Sequence, residues 1–117
     1  MAREQLLPLS KSFAIDVIRL CEDIRRQGKA LAIVDQLLRS GTSIGANIHE
    51  ANYAASRSDF INKLRIALKE CYESEYWLDL FHETDLITNE TYNGMRDKCG
   101  KIRKMLISSI STAQSRN

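Results

Sequence analysis

The sequence predicts an all-α fold, an antiparallel up-down-up-down bundle of four helices. The 117 residues include only five glycines and one proline, well below the roughly 12% that these two residue types average together, and a β-sandwich or an α/β fold needs more turn residues. Four long segments repeat apolar residues with the period of a helix. Because the connections between them are short, sequential helices must run antiparallel. We expect residues 1–117 to form one domain, since that length is typical of one.

The first helix is predicted over residues 8–27. Pro8 suits the first position of a helix, where its missing N–H costs nothing, and Gly28 offers a stop. The spacing of the apolar residues gives the helix one face that we expect to be buried. That face carries Phe13, Ala14, Val17, Ile18, Leu20, Cys21 and Ile24.

The second helix is predicted over residues 30–55. Its middle contains Gly41 and Gly45 and has low helix propensity, because each glycine in a helix is about 1 kcal/mol less favourable than alanine. A local break is one alternative, but we favour a continuous helix, because the apolar period keeps its phase across the segment. The two glycines, four residues apart, would let a neighbouring helix approach closely. The inward face is expected to carry Leu31, Val34, Leu38, Gly41, Gly45, Ile48 and Asn52.

The last two helices are predicted over residues 57–83 and 89–113. Ser56 followed by Asp59 resembles a capping box at the start of the third helix, and Thr88 is a suitable cap for the fourth. The buried face of the third helix is expected to carry Phe60, Leu64, Ala67, Cys71, Leu78 and His82. The buried face of the fourth is expected to carry Tyr92, Met95, Cys99, Ile102, Leu106, Ile110 and Ala113.

Charge and composition exclude several classes of protein. The net charge of +2 is too small by itself to imply a nucleic-acid partner, and no apolar run approaches the roughly 18–20 residues of a membrane span. The N-terminus lacks the layout of a signal peptide. The three cysteines, Cys21, Cys71 and Cys99, form no C-x-x-C pair, and we expect buried free thiols in a reducing cytoplasm.

Residues 36–51 of the second helix, with residues 59–67, Glu73 and Glu75 of the third, resemble the motifs of a known family. It is the family of bacterial four-helix-bundle proteins encoded in intervening sequences of 23S ribosomal RNA genes, which is related to the accessory variability protein of diversity-generating retroelements. Leu38, Gly45 and Ala51 stand where that family usually has arginine, proline and glycine. The matching positions of the second helix are Gln36, Leu37, Arg39, Ser43, Ile44, Ala46, Asn47, Ile48 and Glu50.

The resemblance implies a four-helix bundle assembled as a homopentamer, with no known enzymatic activity. A role with nucleic acid is suspected for the family and demonstrated mainly for the retroelement relatives. The expected partners are therefore further copies of the chain, RNA or DNA, and a nucleic-acid enzyme. We expect no membrane partner and no cofactor.

Two surfaces are candidates for contact between subunits. On the side of the second helix opposite its predicted apolar stripe lies a polar ladder of Gln36, Arg39, Ser43, Asn47 and Glu50. The polar side of the third helix carries Ile66, Glu73, Trp77 and Leu80. An ordinary solvated face is the other interpretation of each set; burial against another subunit is favoured by the tryptophan, a residue enriched at interfaces. We expect the sets to meet between subunits, with Arg39 facing Glu73, in a heterologous contact that closes into a ring.

The fourth helix carries a basic cluster of Arg96, Lys98, Lys101, Arg103 and Lys104. Acidic residues cluster on the third helix, so one interpretation is charge pairing within the bundle, or solvated faces. The other is a nucleic-acid surface, since clustered Lys and Arg displace counterions. No aromatic residues are interleaved with the basic run, which argues against base stacking.

No residue pattern indicates catalysis or a metal site. His49 and His82 have no second His or Cys at the spacing of a helical metal motif. Neither has an arginine four to six residues before it, as many small helical ribonucleases do. We find no phosphate-binding glycine loop, no Ser–His–acid arrangement and no paired Glu-x-x-His of a di-iron bundle. We therefore predict that the protein is not an enzyme.

These observations and the resemblance predict a non-enzymatic homo-oligomeric bundle, a pentamer by the resemblance, that acts as a scaffold or adaptor for nucleic acid or a nucleic-acid enzyme. The alternative is an interaction module that binds another protein through a helix face and binds no nucleic acid. A salt-sensitive affinity for RNA or DNA would separate the two.

Overall fold

The computed structural model describes residues 2–116, with the side chains of residues 4–116, and contains four α-helices. They are α1 (Ala2–Arg26), α2 (Leu31–Ala51), α3 (Arg57–Glu83) and α4 (Asn89–Ser115). No strand occurs in this part of the chain. The molecule measures 51 × 22 × 19 Å, as expected of long helices lying side by side. The predicted all-α bundle is confirmed.

The helices occupy the four corners of a bundle. α1 and α3 each pack against both α2 and α4, so α1 lies diagonally opposite α3. The connections are only a few residues long, which makes neighbouring helices antiparallel. None of the helices, over the residues described, is long and apolar enough to cross a membrane.

The starts of α3 and α4 are set by local capping. The Ser56 hydroxyl accepts a hydrogen bond from the Asp59 backbone N–H at 3.0 Å, and the Asp59 carboxylate accepts one from the Ala55 N–H at 3.3 Å. The Thr88 hydroxyl accepts from the Thr91 N–H at 3.1 Å. Because these bonds satisfy otherwise orphaned N–H groups, both predicted start points are confirmed.

The predicted start of α1 at Pro8 is wrong. The helix begins at Ala2 and Pro8 lies inside it. Proline removes one hydrogen bond from a helix interior, but Leu6, upstream of it, is only 2% exposed. Burial of that side chain favours continuing the helix towards the N-terminus. Gly28 does follow the helix end, with a left-handed φ of 68°.

The glycines of α2 allow α1 to approach closely, as expected. α2 is continuous through both of them. A Cβ atom built on Gly41 would lie 2.8 Å from Val17 Cγ2, and one on Gly45 would lie 3.2 Å from Ser10 Oγ. A side chain at Gly41 would therefore overlap Val17, and one at Gly45 would press against the Ser10 side chain.

The buried face of α2 differs from the predicted face, and the helix ends at Ala51 instead of residue 55. Leu31 is 53% exposed and Asn52 is exposed, so both predictions are wrong. The centre of the buried face runs instead through Leu37 and Ile44, which are fully buried. The reason is that α2 contacts two helices: Gly41 faces α1, and the opposite edge of the stripe faces α3. In the same way Ile18, expected in the core, is 42% exposed.

One hydrophobic cluster fills the interior between the helices. The three cysteines belong to it as free thiols, as predicted. Its largest fully buried side chains are Leu6, Phe13, Val17, Ile24, Val34, Leu37, Ile44, Leu64, Leu78, Phe81, Ile102 and Leu106.

Candidate functional site

The polar ladder of α2 lines its junction with α3. The expectation that it lies opposite the core is wrong, because the true buried stripe of α2 is rotated towards α3 relative to the predicted one. Ser43 and Asn47 are half-buried, whereas Gln36, Arg39 and Glu50 are exposed. Hydrogen bonds from the ladder cross to α3 at Glu70, Glu73 and Lys63. We call the surface formed by the ladder with Ile66, Glu73, Trp77 and Leu80 the α2–α3 face.

Arg39 is the centre of the α2–α3 face. Its Nη1 donates to Glu70 Oε2 at 3.2 Å, and its Nη2 donates to Glu73 Oε1. The Ser43 hydroxyl donates to the same Glu70 carboxylate at 3.4 Å. Hydrogen bonding to Glu70 raises the pKa of Arg39 above its ordinary value. The Arg39–Glu73 pair that was expected between subunits therefore forms within one chain.

The far end of the ladder is held in the same way. Asn47 Nδ2 donates to the Ser43 carbonyl at 2.9 Å and to the Ser43 hydroxyl at 3.1 Å. Lys63 Nζ donates to Glu50 Oε1 at 3.0 Å, which raises the pKa of Lys63. Four of the five ladder residues, Arg39, Ser43, Asn47 and Glu50, thus form a hydrogen-bonded polar lattice.

The apolar residues of this face lie half-buried beside the lattice. Trp77 packs against the core, and its ring meets the Tyr76 ring edge-on at 5.1 Å. The Trp77 indole Nε1 is buried, and no hydrogen-bond acceptor for it exists among the described residues. Ile66 and Leu80 are also half-buried. All nine residues expected at an oligomer interface therefore lie along one junction of one chain.

A buried polar contact beneath the face was missed by the sequence analysis. The Ser74 hydroxyl donates to the Ser40 hydroxyl at 2.9 Å, and both residues are fully buried. Glu70, which is 8% exposed, was also missed as a buried group. The available signal was position, since Ser40 and Ser74 fall in phase with the apolar stripes of their helices.

The junction of α3 and α4 is held by a second buried carboxylate. Glu75 is 7% exposed, and its Oε2 accepts from Arg96 Nη1 at 2.9 Å and from Arg103 Nε at 3.2 Å. Tyr92 donates its hydroxyl to Asp79 at 2.6 Å, which raises the pKa of the phenol. α3 thus carries one buried carboxylate towards each neighbouring helix.

Three of the five basic residues predicted to contact nucleic acid are used inside the bundle. Arg96 and Arg103 bind Glu75, and Lys98 binds Asp16 of α1 at 2.6 Å. Lys101 and Lys104 are exposed and form no ion pair with the described residues. Charge pairing between helices thus accounts for most of the basic cluster.

The two histidines take part in aromatic contacts. The His82 ring stacks on Tyr92 at 4.0 Å, and its Nε2 lies 2.5 Å from Asn89 Oδ1. The His49 ring meets Tyr53 edge-on at 5.4 Å. In the part of the chain that is described, no three His, Cys, Asp or Glu residues are grouped to hold a metal ion.

The cysteines are shielded from solvent chemistry. Burial raises the pKa of the Cys21 thiol to about 11. Hydrogen bonding with Cys99, together with burial, raises the pKa of Cys71 further still. Because the thiolate is the nucleophile, these residues are poor candidates for covalent chemistry.

Comparisons with known proteins point to one family. The model of the 23S rRNA-intervening sequence protein family matches residues 5–108. The chain is also similar to a crystal structure from Bacteroides thetaiotaomicron, described as a protein of unknown function from the S23 ribosomal protein family. The two are 46% identical with a TM-score of 0.91, over 95% of this chain and 99% of the other. Among curated proteins, none matches the chain.

Proposed function

The chain belongs to the 23S rRNA-intervening sequence protein family, and from this premise we propose that it is a non-enzymatic cytoplasmic scaffold. In this proposal copies of the chain assemble into a homo-oligomer, five by the family resemblance, that holds nucleic acid or a nucleic-acid enzyme. The whole chain acts as one four-helix unit. The proposal rests mainly on the α2–α3 face. There, polar residues of the family motif lie beside Trp77, a tryptophan that the single chain leaves partly exposed.

The state of Trp77 favours a further subunit on this face. The Trp77 side chain is only half-buried in the single chain, although its indole Nε1 is buried and has no acceptor among the described residues. Another copy lying on this face would cover the part of the ring that is still exposed. Tryptophan and arginine are both enriched at protein interfaces, and this face carries one of each in adjacent helices.

The hydrogen bonds around Arg39 hold the side chains of the proposed subunit interface in place before assembly. Because Arg39 is already bound to Glu70 and Glu73 of its own chain, the interface gains its free energy from apolar burial and not from that ion pair. Ile66, Trp77 and Leu80 supply the apolar area. Side chains held in place before association lose less conformational entropy on binding.

Light scattering after size exclusion tests the proposed assembly. The wild-type chain should elute at a mass near five times 13.4 kDa. The variant Ile66→Asp with Leu80→Glu should elute as smaller species with unchanged helical content, since Trp77 keeps its place on the core. A matched control, Ile15→Asp with Ile107→Glu, charges two exposed apolar residues elsewhere and should assemble fully. A wild-type monomer would contradict the proposal.

The alternative function, a module that binds only protein, is favoured by one observation. Pairing within the bundle neutralises three of the five basic residues of α4, which leaves Lys101 and Lys104 as its free charges. Binding of RNA and DNA across a salt series separates the alternatives, because affinity for nucleic acid falls steeply with salt. An absence of binding at low salt would support the protein-only module.

A further inference from the structure

Four exposed residues form a single row along the solvent side of α3. Arg65, Lys69, Tyr72 and Tyr76 are spaced by four, three and four residues, which places them on one helix face. Tyr72 is 51% exposed and Tyr76 is 55% exposed. The row extends for about 16 Å along the helix axis. We call it the α3 outer row.

The cations of the α3 outer row are not neutralised by the bundle. Arg65 and Lys69 form no ion pair with any described residue. The nearest acids on either side, Glu73 and Glu75, are turned to arginines of α2 and α4. Beyond Tyr76, Asp79 is partly exposed but pairs with an arginine of α4, and the exposed Glu83 lies about 10 Å away.

α4 places an arginine, itself paired with Glu75, beside the row. The Arg103 guanidinium carbon lies 5.9 Å from the centre of the Tyr72 ring, within the range of a cation–π contact. The exposed Lys104 is the next residue of α4. Aromatic rings are absent from the basic run of α4 itself, but the fold brings those of α3 alongside it.

We propose that the α3 outer row binds single-stranded RNA. Exposed rings next to free cations are the arrangement that binds unpaired bases by stacking and their phosphates by charge. The two rings, one helical turn apart, would stack on bases while Arg65 and Lys69 contact the backbone. RNA is typically recognised at single-stranded loops, bulges and ends, which display such bases. This inference rests on the proposed nucleic-acid partner and assigns it a site and a strandedness.

Fluorescence anisotropy with the full-length protein tests the site. The probe is an end-labelled, unstructured RNA of about 16 nucleotides, compared with its duplex and with DNA of the same sequence. Tyr72→Ala with Tyr76→Ala should weaken binding about tenfold or more, since each stacked base contributes substantially. Tyr72→Phe with Tyr76→Phe should retain binding, because phenylalanine also stacks.

Charge variants and matched controls complete the experiment. Arg65→Glu with Lys69→Glu should weaken binding and flatten its dependence on salt, because fewer counterions are released. Tyr53→Ala removes a tyrosine that is 78% exposed on another part of the surface, and Lys11→Glu reverses an exposed charge on the diagonal helix. Both controls should bind RNA like the wild type.

The outcomes separate this inference from the proposed function. If the wild type binds RNA and the row variants bind equally well, the site is wrong although nucleic-acid binding stands. Binding to duplex as tight as to single strands would overturn the stacking role, and equal affinity for DNA would overturn the assignment to RNA. No binding by the wild type at low salt would overturn the nucleic-acid function itself and this site with it.

Discussion

At the scale of single residues, α3 is organised by two buried carboxylates. Glu70 is bound by Arg39 of α2, and Glu75 by Arg96 and Arg103 of α4. A buried carboxylate is costly unless it is paired and hydrogen-bonded. Each pair therefore ties one neighbouring helix to α3 at a fixed position.

Mutation of the Arg39–Glu70 pair tests the cost of leaving a buried carboxylate without its cation. Arg39→Met should lower the free energy of unfolding by about 1–2 kcal/mol, because it leaves the Glu70 carboxylate without its guanidinium, although the arginine is partly exposed. Adding Glu70→Gln should recover much of the loss, since no unpaired charge then stays buried. Denaturant unfolding measures both.

A matched control is the exposed pair of Lys63 and Glu50 on the same face. Glu50→Gln should lower the free energy of unfolding clearly less than Arg39→Met does, because the carboxylate of this pair is exposed and surface pairs contribute little. Equal effects of Arg39→Met and Glu50→Gln would contradict a special role for the buried carboxylate.

At the scale of elements, α1 and α2 lie closest where α2 has no side chains. Gly41 meets Val17 and Gly45 meets Ser10. This spacing positions α2 so that its other edge reaches α3 with Ser40 and Arg39. The glycines therefore set the position of the polar ladder as well as that of the core.

Substitution of Gly41 tests that packing. Gly41→Ala should destabilise the protein by about 1–3 kcal/mol, because the added Cβ overlaps Val17 and overpacking outweighs the gain in helix propensity. Gly94→Ala is the control, since nothing lies within 4 Å of a Cβ at this position of α4. It should stabilise the helix by up to about 1 kcal/mol. Stabilisation by both changes in thermal melts would show that α1 and α2 are not tightly packed.

The elements also show what sequence could and could not predict. α3 was predicted over the range that it occupies, because Ser56 and Asp59 cap it through bonds between close sequence neighbours. The start of α1 was wrong because the local signal of Pro8 is outweighed by burial of Leu6, which depends on tertiary packing. The face of α2 was misplaced because a helix between two neighbours buries a broad stripe.

The sequence predicted which residues form the candidate site but not how they pair. The nine residues of the α2–α3 face were chosen from the family motif and from unexpected apolar residues, and the fold brings them together. Pairing of Arg39 with its own chain, and the proximity of Arg103 to Tyr72, depend on the lateral order of the helices. Periodicity within one helix carries no information about that order.

At the scale of the whole molecule, one core holds all four helices together. Leu106 of α4 is fully buried in it, whereas its neighbour Ile107 is 43% exposed. A charge buried in this cluster should therefore destabilise all four helices together.

Adjacent substitutions in α4 test this difference. Leu106→Asp should cost more than about 4 kcal/mol, since it combines lost packing with a buried carboxylate. That cost is comparable with the total stability of a typical domain, so helical circular dichroism should be largely lost. Ile107→Asp should leave the melting curve nearly unchanged. Native-like melting of Leu106→Asp would show that the core is wrongly assigned.

The central claim at this scale is that another copy of the chain covers the α2–α3 face. Trp77 is the only tryptophan, so its fluorescence reports on this face alone. The most direct test compares emission and acrylamide quenching of the wild type with those of Ile66→Asp with Leu80→Glu, at concentrations where scattering shows the wild type assembled. The account predicts red-shifted emission and stronger quenching in the variant. Identical emission and quenching in the two proteins would contradict it, because Trp77 would then be equally exposed with and without assembly.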